Sequence, residues 1–186
     1  MIIGITGTLG AGKGAIVEYL KKKGFKHYST TYDCIVPEIE KRGLVVNRDS
    51  MVLVANDLRA KNGSGYIAEY LFERAEKEGG NIVMESIRTE GEIIALKKRG
   101  TCIMFSVDAK PEIRYERNLK RKSSKDNVTY EKFLEDEKRE FSATDPTKQN
   151  LSRCIELADY VFQNNGSFEE LYAQVEEALK KIGEQS

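Results

Sequence analysis

The chain has 186 residues, with 30 Lys+Arg against 30 Asp+Glu and 40% apolar residues. That length supports one domain, which buries roughly 70% of its unfolded surface and builds a core without disulfides or structural metal. A formal net charge of zero leaves no global positive field to collect nucleic acid or an anionic membrane, and neither is an expected partner.

Ile2–Thr6 reads as a buried strand, and the opening MIIGITG is too short and lacks the basic leader of an export signal. Ile16–Lys23 reads as part of a helix ended by Gly24, and Phe25–Tyr28 as a second short strand. Ile82–Glu85, Cys102–Val107 and Tyr160–Phe162 are further short strands, rich in β-branched and aromatic residues. Between them lie predicted helices at Ile35–Lys41, Asp49–Lys61, Tyr66–Lys77, Glu90–Arg99, Pro111–Lys122, Tyr130–Phe141 and Phe168–Ile182. Strands alternating with helices predict a doubly wound α/β domain with a parallel sheet. Two segments read as insertions on the helical side: Asn47–Glu78, jointed at Asn62-Gly63-Ser64-Gly65, and the charged Lys120–Gln149. Cys34, Cys102 and Cys154 are far apart and form no C-x-x-C pair, which predicts neither disulfides nor zinc and points to a reducing, cytoplasmic compartment. No stretch reaches the apolar length of a membrane span.

Directly after the first strand comes Gly7-Thr8-Leu9-Gly10-Ala11-Gly12-Lys13-Gly14-Ala15, in which Gly7, Gly12 and Lys13 satisfy G-x-x-x-x-G-K. Glycines let successive backbone N–H groups turn toward an anion, the following helix N-terminus adds positive charge, and Lys13 reaches the terminal phosphates. The loop resembles G-x-P-G-x-G-K-G-T of adenylate kinases and their relatives, matching at Gly7, Gly10, Gly12, Lys13 and Gly14. Leu9 replaces the proline, and Ala15 replaces the threonine that would offer a hydroxyl near the β-phosphate and metal.

Ser29-Thr30-Thr31-Tyr32-Asp33 resembles the S-T-G-D turn that faces the acceptor in adenylate kinases. Asp33 is thereby the candidate for orienting the attacking oxygen and helping to hold metal; it also suits the N-cap of a helix before Ile35. Glu85-Ser86-Ile87-Arg88-Thr89 resembles D-G-F-P-R-T, with Glu85 at the acidic position and Arg88 at the arginine that binds acceptor phosphate; Ser86 lies between them. A carboxylate at that strand end can hold magnesium through water, and an arginine can grip phosphate bidentately. Arg114, Arg117 and Arg121 share one helix face, and Arg117 and Arg121 correspond to two arginines of the adenylate kinase helix that enters the lid. Arg139 is a candidate second lid arginine at the acceptor.

Near the end, Ala158-Asp159-Tyr160-Val161-Phe162-Gln163-Asn164-Asn165-Gly166-Ser167 resembles the A-D-x-V-I-x-N-x-G-S stretch of dephospho-coenzyme A kinases, which implies adenine contacts at Asn164, Asn165 and Gly166. Ser167 and Glu170 also read simply as a capping box. His27, the only histidine, reads as structural, and Ser142–Asn150 as a polar turn before a helix with no assigned role.

The resemblance implies a three-layer P-loop fold of the nucleoside monophosphate kinase type, with a five-stranded parallel sheet, an acceptor segment at about 33–78 and a lid at about 120–149. It implies transfer of the γ-phosphoryl group of ATP, with Mg²⁺, to a (deoxy)nucleoside monophosphate; dephospho-coenzyme A is the alternative acceptor. Thr31-Tyr32-Asp33, standing where dephospho-coenzyme A kinases carry D-x-D, favours the monophosphate. Ala15 supports a third reading, a nucleotide-binding regulatory ATPase without a small-molecule acceptor. Oligomeric state is not legible.

Overall fold

The computed structural model describes residues 1–100, 102–120 and 128–184, without the side chain of Arg139. Among these residues, β1 (Ile2–Gly7), β2 (Lys26–Ser29), β3 (Ile82–Glu85), β4 (Cys102–Asp108) and β5 (Tyr160–Gln163) form one sheet in the order β2-β3-β1-β4-β5. Every neighbouring pair is parallel. β1 is buried along its whole length, which is why its apolar run is continuous rather than alternating.

Side chains of β1 divide between two cores. Ile3 and Ile5 pack with Val83, Phe105 and Val107 against α1 (Lys13–Lys22) and α9 (Phe168–Glu184). Ile2 faces the opposite layer, where Met84 and Met104 meet α3 (Arg48–Asn62), α4 (Tyr66–Glu78) and α5 (Glu90–Lys98). Together with α2 (Val36–Lys41), α6 (Pro111–Lys120), α7 (Tyr130–Phe141) and α8 (Leu151–Glu156), these form the helical layers of a three-layer α/β P-loop kinase-like fold.

Local hydrogen bonding moves several predicted boundaries. Helix α1 starts at Lys13, because the Ala15 and Ile16 amides already donate to the Gly12 carbonyl at 3.0 and 3.3 Å. Phe25 N donates to Leu20 O at 3.1 Å and so belongs to the turn that closes α1, leaving β2 to begin at Lys26. Between β2 and α2 the chain makes a wide, π-type turn at Thr31–Ile35, closed by Ile35 N on Thr30 O at 3.2 Å. The six-residue α8 is capped by Asn150, whose Oδ1 accepts from Arg153 N at 3.0 Å. The predicted reach of α6 to Lys122 lies outside the described residues.

Beside β1, the carboxyl ends of β3 and β4 open onto the crevice where ligands bind in open α/β sheets. The register sets Glu85 beside Ile5 and Ser29, and Gly7 beside Val107.

Candidate active site

The loop after β1 is shaped by its glycines. Gly7 and Gly12 have φ of 136° and 111°; a Cβ at Gly7 would collide with the Val107 carbonyl oxygen, and one at Gly12 with the Asn164 side-chain amide. Lys13 Nζ lies over the loop, donating to Gly7 O and Thr8 O, both at 2.8 Å. Thr8 Oγ1 donates to Asp108 Oδ1 at 2.5 Å, and Asn164 Nδ2 donates to Ala11 O at 2.7 Å. The ends of β4 and β5 thus clamp the loop from the side.

A depression of about 270 Å³ opens beside it, lined by Gly10, Gly12, Ala15, Arg117, Lys120, Asn164 and Phe168. Arg117 Nη1 donates to Asn164 O at 2.9 Å, and Phe168 stands half exposed on the first turn of α9. Asn165 takes a different part, its Oδ1 accepting from Lys110 N at 2.8 Å. Gly166 sits in the turn closed by the reciprocal Ser167–Glu170 bonds.

A second cleft, of about 190 Å³, lies on the other side of the loop, between Leu9, the wide turn, α3, the segment after β3, and α7 with the loop that follows it. Its charged lining is Arg48, Arg59, Arg88 and Glu140, and Tyr32, Met51 and Gln149 contribute further wall. Ser86 also lines it, at a φ of 67°; its carbonyl accepts from Thr30 Oγ1 at 2.8 Å, and the next carbonyl, Ile87 O, from Thr6 Oγ1 at 2.9 Å. Arg88 Nη1 donates to Gly7 O at 3.2 Å, so Arg88 and Lys13 meet at one carbonyl oxygen, where the loop and the cleft adjoin.

Arg59 is wholly buried, pairing through Nε and Nη2 with Glu92 Oε1 at 3.0 and 2.8 Å. Arg48 Nη2 pairs with Glu140 Oε1 at 2.7 Å, tying α3 to α7 across the cleft. Deeper at the sheet edge, Glu85 Oε1 lies 3.5 Å from His27 Nε2. Burial works to raise the Glu85 carboxyl, but the His27 imidazole and the Lys13 ammonium outweigh it and hold the group below its ordinary range. Burial raises the thiols of Cys34, Cys102 and Cys154 to about 11, about 12 and about 12, so all three are inert at neutral pH.

The structure therefore brings Lys13, Ser86 and Arg88 together, with Glu85 on the strand end beside them, and sets Arg117 and Asn164 at the adjoining depression. It does not bring Asp33 to them. Asp33 Oδ2 accepts from Ser29 N at 2.6 Å, and the residue lines a separate depression with Cys34, Glu38 and Tyr66. The extra residue of the wide turn presents Thr30, Thr31 and Tyr32 to the cleft instead. The carboxylate thus binds an amide of the preceding strand, rather than capping the helix after it. Arg121 and the side chain of Arg139 lie outside the described residues.

Arg48, Arg59, Glu140, Gln149 and Phe168 were not singled out by sequence. Arg59 carried the one usable signal, a charged residue falling in the stripe of α3 that buries Val54 and Ala55. Among the described residues no group of three or more His, Cys, Asp or Glu is arranged to hold a metal, and no helix is long and apolar enough to cross a membrane.

Residues 3–142 match the family profile described as AAA domain. The chain belongs to this family of P-loop NTPases. A UPF0200 protein of Sulfurisphaera tokodaii is 32% identical over 181 residues, covering 97% of each chain. Among solved structures, TT1252 from Thermus thermophilus superposes with a TM-score of 0.62 at 20% identity, covering 98% of this chain and 97% of its own. Shikimate kinase from Aquifex aeolicus gives 0.52 at 18% identity, with both chains covered completely. These likenesses establish a kinase-like P-loop fold. They stop short of adenylate or dephospho-coenzyme A kinase identity.

Proposed function

We propose that this family member is an ATP-dependent phosphotransferase that moves the γ-phosphoryl group of ATP to a phosphorylated nucleoside, with a (deoxy)nucleoside monophosphate ahead of dephospho-coenzyme A as acceptor. The observation that carries the reading is the meeting of Lys13 and Arg88 at the Gly7 carbonyl oxygen. A loop built to cradle phosphates there adjoins a cleft lined by cations, the juxtaposition that phosphoryl transfer needs, since its catalysis is mainly positioning and charge stabilisation.

In this reading the amides from Thr8 to Ala15 and the Lys13 ammonium hold the phosphates of ATP. The adenine lies in the depression between Arg117 and Phe168, against the backbone at Asn164. Arg88 grips the acceptor phosphate with Ser86 beside it, and Arg117 stays with the adenine; the lid roles expected of Arg121 and the side chain of Arg139 fall outside the described residues. The donor set fits a magnesium ion carried in with ATP, because Mg²⁺ keeps several waters and needs only one or two carboxylates; Glu85, held ionised at the strand end, is the group to meet it through water. Bound magnesium supplies neutralising charge to the phosphates. Asp33 drops out of both its metal and its acceptor role, because its carboxylate is engaged with Ser29 N outside the cleft.

Ala15 favours the regulatory ATPase as second reading, since no hydroxyl follows Lys13 in the loop. That reading leaves the arginine-lined cleft without a use. ATP consumption with magnesium, measured against ribo- and deoxyribonucleoside monophosphates and dephospho-coenzyme A, separates the two. ADP formation that requires one acceptor and disappears in Lys13→Ala supports the kinase; ADP formation indifferent to every acceptor rejects it for the ATPase.

A further inference from the structure

We propose that Arg59 and Gln149 form an acceptor-recognition subsite in the 190 Å³ cleft, one that selects a hydroxyl compound carrying an oxyanion and rejects neutral sugars and alcohols. The proposal rests on the kinase reading above. It starts from two buried polar atoms, Arg59 Nη1 and Gln149 Oε1, which have no hydrogen-bond partner in the protein although both residues line the cleft.

A guanidinium has two edges. Arg59 spends the Nε/Nη2 edge on Glu92, which leaves Nη1 on the other as its unused donor. The other cleft arginines are engaged differently: Arg48 is held by Glu140, and Arg88 reaches Gly7 O. A buried, charged donor without a partner is costly, and an oxyanion entering the cleft recovers that cost through a charge-assisted bond. Glu92 also sets Arg59 relative to Arg88. While Oε1 holds the Arg59 side chain, Oε2 accepts from the Arg88 backbone N at 2.8 Å and from Thr89 N at 3.2 Å. One buried carboxylate thus aligns both arginines, and Glu92 is a positioning residue.

Gln149 ends the polar loop after α7. Asn150 N donates to Arg88 O at 2.9 Å, docking that loop on the Arg88 segment and carrying Gln149 into the cleft. Its unpaired acceptor complements an O–H donor, as the Arg59 donor complements an anion. Ile35, Met51 and Val52 leave an apolar wall for the carbon skeleton between them. The oxyanion can be a phosphate or a carboxylate, since both offer the oxygen pair an arginine reads.

The test is calorimetric titration of inorganic phosphate into the protein saturated with magnesium and a non-hydrolysable ATP analogue, which occupies the γ-phosphate position and leaves the cleft to the probe. The wild type is expected to bind phosphate, Arg59→Lys to bind it about tenfold more weakly, and Gln149→Leu about threefold more weakly. Affinity for the analogue is expected to stay unchanged in both. Should Arg59→Lys fail to fold, the double variant Arg59→Met/Glu92→Gln removes the donor without leaving a buried charge and carries the same expectation. Titration with acetate tells the two oxyanions apart, and binding of either supports the subsite. Phosphate and acetate both failing to bind, equal affinity in wild type and Arg59 variants, or glycerol binding in their place would overturn it. Failure of the analogue to bind the wild type sinks the kinase reading instead; phosphate affinity that still depends on Arg59 then keeps the subsite, and affinity independent of Arg59 ends it.

Discussion

The two sides of the Gly7–Ala15 loop are built from different materials. On the side proposed for the nucleotide, the loop presents backbone amides and carbonyls, held by glycine conformations and by the clamps from Asp108 and Asn164. Across the loop, the second cleft, which we propose takes the acceptor, is made of side chains from α3, the segment after β3, α7 and the loop before α8; Arg48 and Arg59 are already paired with Glu140 and Glu92, and Arg88 reaches Gly7 O. A backbone site is written in consecutive residues. A side-chain site is assembled from distant ones, and its cost lies in burying charges that must keep partners.

If that contrast holds, the largest effect on stability belongs to the cleft. Arg59→Ala strands the Glu92 carboxylate and is expected to cost about 3–5 kcal/mol in urea unfolding, whereas Arg59→Met/Glu92→Gln recovers most of the loss. A small cost for the single variant would show that the pair is not structural. Lys13→Ala is expected to lower turnover by about 10²–10³ with stability nearly unchanged, the signature of a preorganised electrostatic group. Arg88→Met should raise the KM of the acceptor by about 10- to 100-fold, the worth of one charge-assisted bond, and leave ATP affinity alone. An equal loss for ATP would place Arg88 on the nucleotide side and blur the comparison.

Phe168→Ala is expected to weaken ATP binding by about 2- to 10-fold, the range for one aromatic stacking partner, as read by fluorescence titration. Glu85 yields the smallest effect. Its carboxyl titrates lower in the folded than in the unfolded chain, so its contribution is complete above the ordinary value of 4.5 and fades as pH falls through the lowered one. Thermal melts from pH 6 to pH 3 should therefore decline more steeply for the wild type than for Glu85→Gln, and parallel curves would mean that His27 and Lys13 do not hold the carboxylate.

The strand, glycine loop and helix of the first twenty-odd residues could be read from the chain, because they follow one another directly. Arg88 was legible for a related reason, lying three residues beyond the acidic end of β3. Asp33 shows where such reading stops. Its motif was visible, but the π-type turn at Thr31–Ile35 rotates it out of the cleft, and nothing in the residue types announces one extra residue in a turn. Gln149 shows the converse, a residue of an unassigned polar loop that a single backbone bond, Asn150 N to Arg88 O, brings to the cleft.

The sequence by itself determined the parallel α/β architecture and the phosphate-binding loop, because both rest on periodicity and on glycine and lysine at fixed spacing, which are local properties of a chain. Tertiary structure alone decided that Arg48 and Arg59 join Arg88 in lining the second cleft and that Arg59 keeps a free donor. Arg59 and Glu92 are 33 positions apart, and Arg48 and Glu140 are 92 apart. Whether a charge at such a separation is spent or available depends on which helices pack over the sheet, and the burial that makes the pairing matter exists only once they have packed.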